Sequence, residues 1–123
     1  MTGGATGIGL GICEQIGRHG GSVAILARRE NVIKEAVDKL TAMGIKAFGV
    51  AGDVRNYEKC VEGVEAVVRH YGRLDILVNN AAGNFMAAAE DLTPNGFATV
   101  SLPAGHACGH AHAMSDASCG LRS

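Results

Sequence analysis

Apolar residues along this chain follow the helical period in some stretches and run nearly unbroken in shorter ones. Ile8, Ile12, Cys13 and Ile16 share one face of a helix predicted over residues 8–18, which Gly20-Gly21 closes. Residues 22–27 (SVAILA) form a short apolar run of the kind a parallel sheet buries on both faces. Val32, Ile33, Ala36, Val37, Leu40 and Met43 mark the inner stripe of a second helix, ended by Gly44. Residues 46–51 (KAFGVA) read as another strand. Asn56 suits the N-cap of a third helix. Its inner face is Cys60, Val61, Val64, Val67, Val68 and Tyr71, and Gly72 is its stop. Residues 75–79 (DILVN) predict a further strand, and Thr93-Pro94 an N-cap followed by a first-turn proline.

Helix and strand therefore alternate, which predicts an α/β fold built on a doubly wound parallel sheet. In such folds a glycine-rich turn follows a buried strand and opens a helix. Here Thr2-Gly3-Gly4-Ala5-Thr6-Gly7-Ile8-Gly9 is the turn, and only Met1 precedes it. The expectation is a truncated sheet lacking its first strand and its C-terminal half. Residues 1–100 would be a partial dinucleotide-binding domain. Residues 101–123 have no helical or alternating period and few large apolar side chains. They are expected to be a divergent, disordered tail, unable to bury enough surface to offset their ordering entropy.

Composition narrows the class. The chain of 123 residues is 47% apolar and 19% charged, as in soluble globular domains. With aromatic residues at 4% and no Trp, the core must be aliphatic. A net charge of −1 with no basic run excludes a nucleic-acid surface. No apolar stretch is long enough for a transmembrane helix, and no signal peptide precedes the glycine loop. The four cysteines (Cys13, Cys60, Cys108 and Cys119) form neither a CxxC pair nor a disulfide framework, and Cys13 and Cys60 read as small buried hydrophobes. His19 and His70 lie near helix C-termini, where a partial positive charge is favourable, so their expected role is structural. His106, Cys108, His110 and His112 cluster in the tail, but their spacing matches no closed zinc site, and no metal is expected.

A glycine loop at a helix start holds a pyrophosphate through free N–H groups and the positive end of the helix dipole. Thr2, Gly3, Gly7, Ile8 and Gly9 match the signature of the short-chain dehydrogenase/reductase family. Asn79-Asn80-Ala81-Ala82-Gly83 resembles a second motif of that family, and Asp53-Val54 resembles the end of its third strand. The resemblance implies a Rossmann-like fold and a cofactor site at Thr2, Gly3, Gly7, Ile8, Gly9, Arg28, Asp53, Val54, Asn80, Ala81 and Gly83. Asp53 would contact adenine. The strand at 22–27 leads into Arg28-Arg29, with no acid until Glu30. Arginine there favours the 2′-phosphate of NADP(H), whereas an acid would favour the ribose hydroxyl of NAD.

Within the family, Asp53-Val54-Arg55 and Gly83-Asn84-Phe85 resemble the 2,4-dienoyl-CoA reductases, particularly the peroxisomal type. That resemblance implies NADPH-dependent reduction of dienoyl-CoA thioesters in unsaturated fatty acid breakdown. Arg28, Arg55, Asn84 and Phe85 would lie near the CoA ester or the cofactor phosphate. Full-length relatives are expected to be homo-oligomers. Family chemistry also uses a Tyr-x-x-x-Lys pair. Tyr57 is followed four residues on by Val61 and Tyr71 by Asp75, so no catalytic residue is assigned and an inactive form is expected. Two alternatives stand beside this reading: another short-chain reductase acting on 3-oxoacyl or sugar substrates, and a non-catalytic nucleotide-binding or hetero-oligomerising fragment. The family implies a peroxisomal location. The terminal Leu121-Arg122-Ser123 is not a Ser-Lys-Leu type signal, which leaves the cytoplasm open. With its central strand missing, the sheet is expected to expose edges and to fold marginally.

Overall fold

The computed structural model describes residues 1–82. The elements are α1 (Gly7–Arg18), β1 (Val23–Ala27), α2 (Glu30–Ala42), β2 (Ala47–Ala51) and α3 (Tyr57–Tyr71). β1 and β2 pair in parallel, in register from Val23 opposite Ala47 to Ala27 opposite Ala51. The helical connection between them is what a parallel pair requires.

Side chains alternate across a strand. Val23 and Ile25 turn to one face, where they form one core with Cys13 of α1 and Ile33, Ala36 and Leu40 of α2. Leu26 packs in a second cluster with Val54 and with Cys60 and Val64 of α3. The helices thus cover both faces of the sheet, as expected of a doubly wound α/β fold. Ile25 and Leu40 are almost wholly buried. Each contributes about 1.5–3 kcal/mol by leaving water.

Local signals set the ends of α3. The Asn56 side chain accepts a hydrogen bond from the Lys59 N–H at 3.1 Å, capping the first turn. Gly72 stops the helix in the left-handed region, at φ 78°. At the same end the Tyr71 hydroxyl donates to the Val23 carbonyl (3.2 Å), and His70 stacks on Phe48 with ring centroids 4.2 Å apart. His19 Nδ1 lies 2.8 Å from the Gln15 carbonyl at the end of α1.

Several expectations are corrected. The leading residues do serve as a strand position. The Leu26 N–H donates to the Met1 carbonyl (3.0 Å), and the Gly3 N–H donates to the Leu26 carbonyl (2.8 Å). Thr2 makes a parallel bridge to Leu26 and, on its other side, donates its N–H to the Val78 carbonyl (3.0 Å). The segment 75–79 therefore keeps a neighbour. It takes no regular strand structure, however.

The inner face of α1 is also different. Ile8 is 80% exposed and Ile16 faces outward, while Gly9 and Cys13 are buried. Close approach of Gly9 to the Gly3 carbonyl turns that row inward. Met43 lies beyond the end of α2 and is partly exposed, and Ile45 fills the core instead. The expectations for Gly83, Asn84, Phe85, the helix start at Thr93-Pro94 and the tail at 101–123 lie outside the described residues.

Candidate functional site

The ends of β1 and β2, the loop before α1 and residues 80–82 enclose a cleft of about 590 Å³. This is where doubly wound sheets bind ligands, outside the carboxyl ends of their strands. Gly3, Gly7, Ile8, Gly9, Arg28, Asp53, Val54, Arg55, Asn80 and Ala81 all line it. Thr2 does not. It lies beneath the loop, 4% exposed.

The loop is shaped for close approach. Gly7 has a φ of 55°, which side chains rarely adopt, and nothing lies within 4 Å of where its Cβ would point. At Gly9 a Cβ would overlap the Gly3 carbonyl. Among the described residues, the N–H groups of Gly7, Ile8 and Gly9 have no backbone acceptor, because they belong to the first turn of α1. Open space before unpaired donors at a helix start fits an anion such as a pyrophosphate.

Asn80 and Thr2 fasten this loop from below. The Thr2 hydroxyl oxygen accepts from the N–H groups of Asn80 and Ala81, each at 3.0 Å. In return, the Asn80 side-chain amide donates to the carbonyls of Thr2 (3.2 Å) and Gly3 (3.3 Å). The two family-like motifs, nearly eighty positions apart, are thus one hydrogen-bonded unit.

The charged walls behave differently from each other. Arg55 Nε donates to both carboxylate oxygens of Asp53 (3.0 and 3.1 Å), and one Nη donates to Oδ2 at 2.6 Å. The Arg55 N–H adds a bond to Oδ1 at 3.0 Å. This clasp holds the Asp53 carboxyl below its ordinary range and raises the Arg55 guanidinium, and the charge of Arg28 further lowers Asp53. Arg28 and Arg29 are exposed and enter no salt bridge among the described residues. Beneath Asp53, the Cys60 thiol lies 3.6 Å from the Val54 carbonyl. Burial, and then the Asp53 charge, push that thiol up.

Arg29, named with Arg28 in the sequence, lines the cleft too, and Thr6, Leu26, Ala27, Val32, Gly52 and Ala82 line it without having been assigned to the site from the sequence. Position relative to the strand ends was their only signal. Thr6 is the N-cap of α1 and makes no side-chain capping bond. Among the described residues no group of three His, Cys, Asp or Glu side chains could hold a metal, and no helix is long and apolar enough to cross a membrane.

Comparison with known proteins places these features in a family. Residues 1–101 match the family model described as short chain dehydrogenase. The chain is 57% identical over 100 residues to a peroxisomal 2,4-dienoyl-CoA reductase [(3E)-enoyl-CoA-producing] of Arabidopsis thaliana, covering 81% of this chain and 34% of that one. It is 43% identical over 101 residues to the enzyme of the same description from Danio rerio, with the same coverage. Among solved structures, L-sorbose reductase from Gluconobacter frateurii, complexed with NADPH and L-sorbose, superposes with a TM-score of 0.75 at 28% identity. That match covers 89% of this chain and 44% of the other. The chain spans about a third of the length of the curated relatives it matches.

Proposed function

The chain belongs to the short-chain dehydrogenase family, and from that premise we propose that its cleft is the NADP(H) site of a 2,4-dienoyl-CoA reductase. The observation that carries the cofactor assignment is the pairing of walls. Unpaired N–H groups at the start of α1 stand on one side, and Arg28 and Arg29, free of carboxylate partners among the described residues, stand on another. A 2′-phosphate suits those guanidiniums, which match phosphate geometry. The substrate class rests on likeness to the Arabidopsis enzyme over residues that include Arg55 and the 79–85 motif. Identity to the L-sorbose reductase is about half as great, which favours the dienoyl-CoA reading over a sugar substrate.

When bound, the nucleotide supplies the hydride. The residues of this chain hold and orient it. Gly7, Ile8 and Gly9 would donate to the pyrophosphate, while Thr2 and Asn80 fix the loop that presents those donors. Asp53 and Val54 would close the far end of the cleft. By the family likeness, Asn84 and Phe85 would contact the substrate. The likeness to peroxisomal enzymes supports a peroxisomal location. No Tyr-x-x-x-Lys occurs in the 123 residues, so the chain by itself is expected to bind but not to turn over.

Nucleotide fluorescence tests the cofactor half. Titration should give saturable NADPH binding at least about tenfold tighter than NADH. Equal affinity for the two, or no saturation, contradicts it. A chimera tests the substrate half: residues 1–101 of this chain joined to the remainder of the Arabidopsis reductase. It should oxidise NADPH with a 2,4-dienoyl-CoA. A folded, NADPH-binding chimera without that activity would remove the dienoyl-CoA assignment.

A further inference from the structure

The arginines lining the cleft are of two kinds. Arg55 is fixed, its guanidinium clasped by both oxygens of Asp53. Arg28 and Arg29 directly follow β1, are exposed, and have no carboxylate partner among the described residues. Asp53 is the single carboxylate lining the cleft among those residues, and Arg55 neutralises it. Glu30 follows in the first turn of α2 and does not line the cleft. This wall therefore carries an unbalanced positive charge on two long side chains whose direction no ion pair sets.

Rejection of a wrong ligand needs a repulsive or obstructing group. Leu26, Ala27, Val32 and Gly52 line the same cleft without charge, and its one described carboxylate, Asp53, feels the charge of Arg28 but is clasped by Arg55. Among the described residues no free acidic group distinguishes a phosphate on one ribose hydroxyl from a phosphate on the adjacent one.

We propose that the Arg28–Arg29 wall accepts an adenosine nucleotide phosphorylated at either the 2′ or the 3′ position, so that the 3′-phosphoadenosine end of coenzyme A competes for the NADPH site. The inference rests on the cleft being a nucleotide site. Where the substrate is a CoA thioester, both ligands of the reaction carry an adenosine with a ribose phosphate, and the thioester, before or after reduction, would slow NADPH loading.

The test is displacement of NADPH fluorescence from the 123-residue chain. The competitors are adenosine 2′,5′-bisphosphate, adenosine 3′,5′-bisphosphate, adenosine 5′-monophosphate, coenzyme A and dephospho-CoA. The 3′,5′-bisphosphate should compete within about tenfold of the 2′,5′-isomer and at least about tenfold better than the monophosphate. Coenzyme A should outcompete dephospho-CoA by a similar factor, and the double variant Arg28→Ala/Arg29→Ala, its fold checked by circular dichroism, should lose both differences. Strong competition by the 2′,5′-isomer alone overturns this inference and leaves the NADP(H) reading standing. Failure of NADPH and of every competitor to bind overturns both.

Discussion

The hydroxyl oxygen of Thr2 lies 3.0 Å from the backbone nitrogens of both Asn80 and Ala81 and accepts a hydrogen bond from each. One side chain thus satisfies two N–H groups where the chain turns under the glycine loop. The same residue reaches β1 through its bridge to Leu26 and the segment 75–79 through its N–H bond to Val78. Thr2 therefore positions the cleft without lining it.

Thr2→Val keeps the shape and removes the acceptor. It strands two partly buried N–H groups, at about 1–3 kcal/mol each. Denaturant unfolding should show a loss of about 2 kcal/mol or more and a weakened NADPH site, while Thr2→Ser retains most of both. Equal stability of Thr2→Val and the parent would show that the bonds to Asn80 and Ala81 do not hold the loop.

Two glycines of α1 should respond in opposite directions. A methyl group at Gly9 meets the backbone of Gly3, which cannot swing away as a flexible side chain would. Gly9→Ala should cost about 1–3 kcal/mol and open the cradle. Gly11 is exposed, and a Cβ there meets nothing within 4 Å. Gly11→Ala should stabilise the chain by about 0.5–1 kcal/mol through lower unfolded-state entropy. Thermal melts of the two variants settle the contrast, and a rise in melting temperature for Gly9→Ala is the outcome that contradicts it.

The Asp53–Arg55 clasp makes stability depend on acid. The Arg55 hydrogen bonds lower the folded-state pKa of Asp53, so the carboxylate stabilises the fold above its ordinary unfolded value of about 4. That contribution disappears as pH falls through the lower folded value. The stability difference between the parent and Asp53→Asn should hold steady from pH 5 to 7, with about 1 pH unit of tolerance at the lower bound, and shrink on further acidification. A difference unchanged down to the acid unfolding limit would refute the clasp.

Much of the fold was legible because it depends on local period. The stripe Ile33, Ala36 and Leu40, the apolar run of β1, the Asn56 cap and the Gly72 stop each follow from residues within a few positions of one another. Ile8 and Ile16 misled because apolar spacing names a face without naming what it meets. Two small residues, Gly9 and Cys13, make the close contact instead. The segment 75–79 has strand composition, but the backbone bond it makes to the leading residues is the single one from Thr2 to the Val78 carbonyl among the described residues.

The cleft divides in the same way. That Gly3, Gly7, Gly9 and Arg28 line it was readable from residue type and order, since glycine permits the backbone approach and a cation complements an anion. The hydrogen bonds of Thr2 and Arg55 were not. Thr2, expected at the cofactor, lies beneath the loop and braces it, while Arg55, expected near the CoA ester or the cofactor phosphate, lines the cleft and is engaged with Asp53.

The amino-acid order alone determined the three helices, the two paired strands and the stops of the helices, because propensity, period and capping act over a few residues. Tertiary structure decided which face of α1 turns inward, how the leading residues bridge β1 to 75–79, and which of the described arginines enter an ion pair. Those outcomes depend on groups far apart in the chain meeting at hydrogen-bond distance, and sequence spacing carries no record of such meetings.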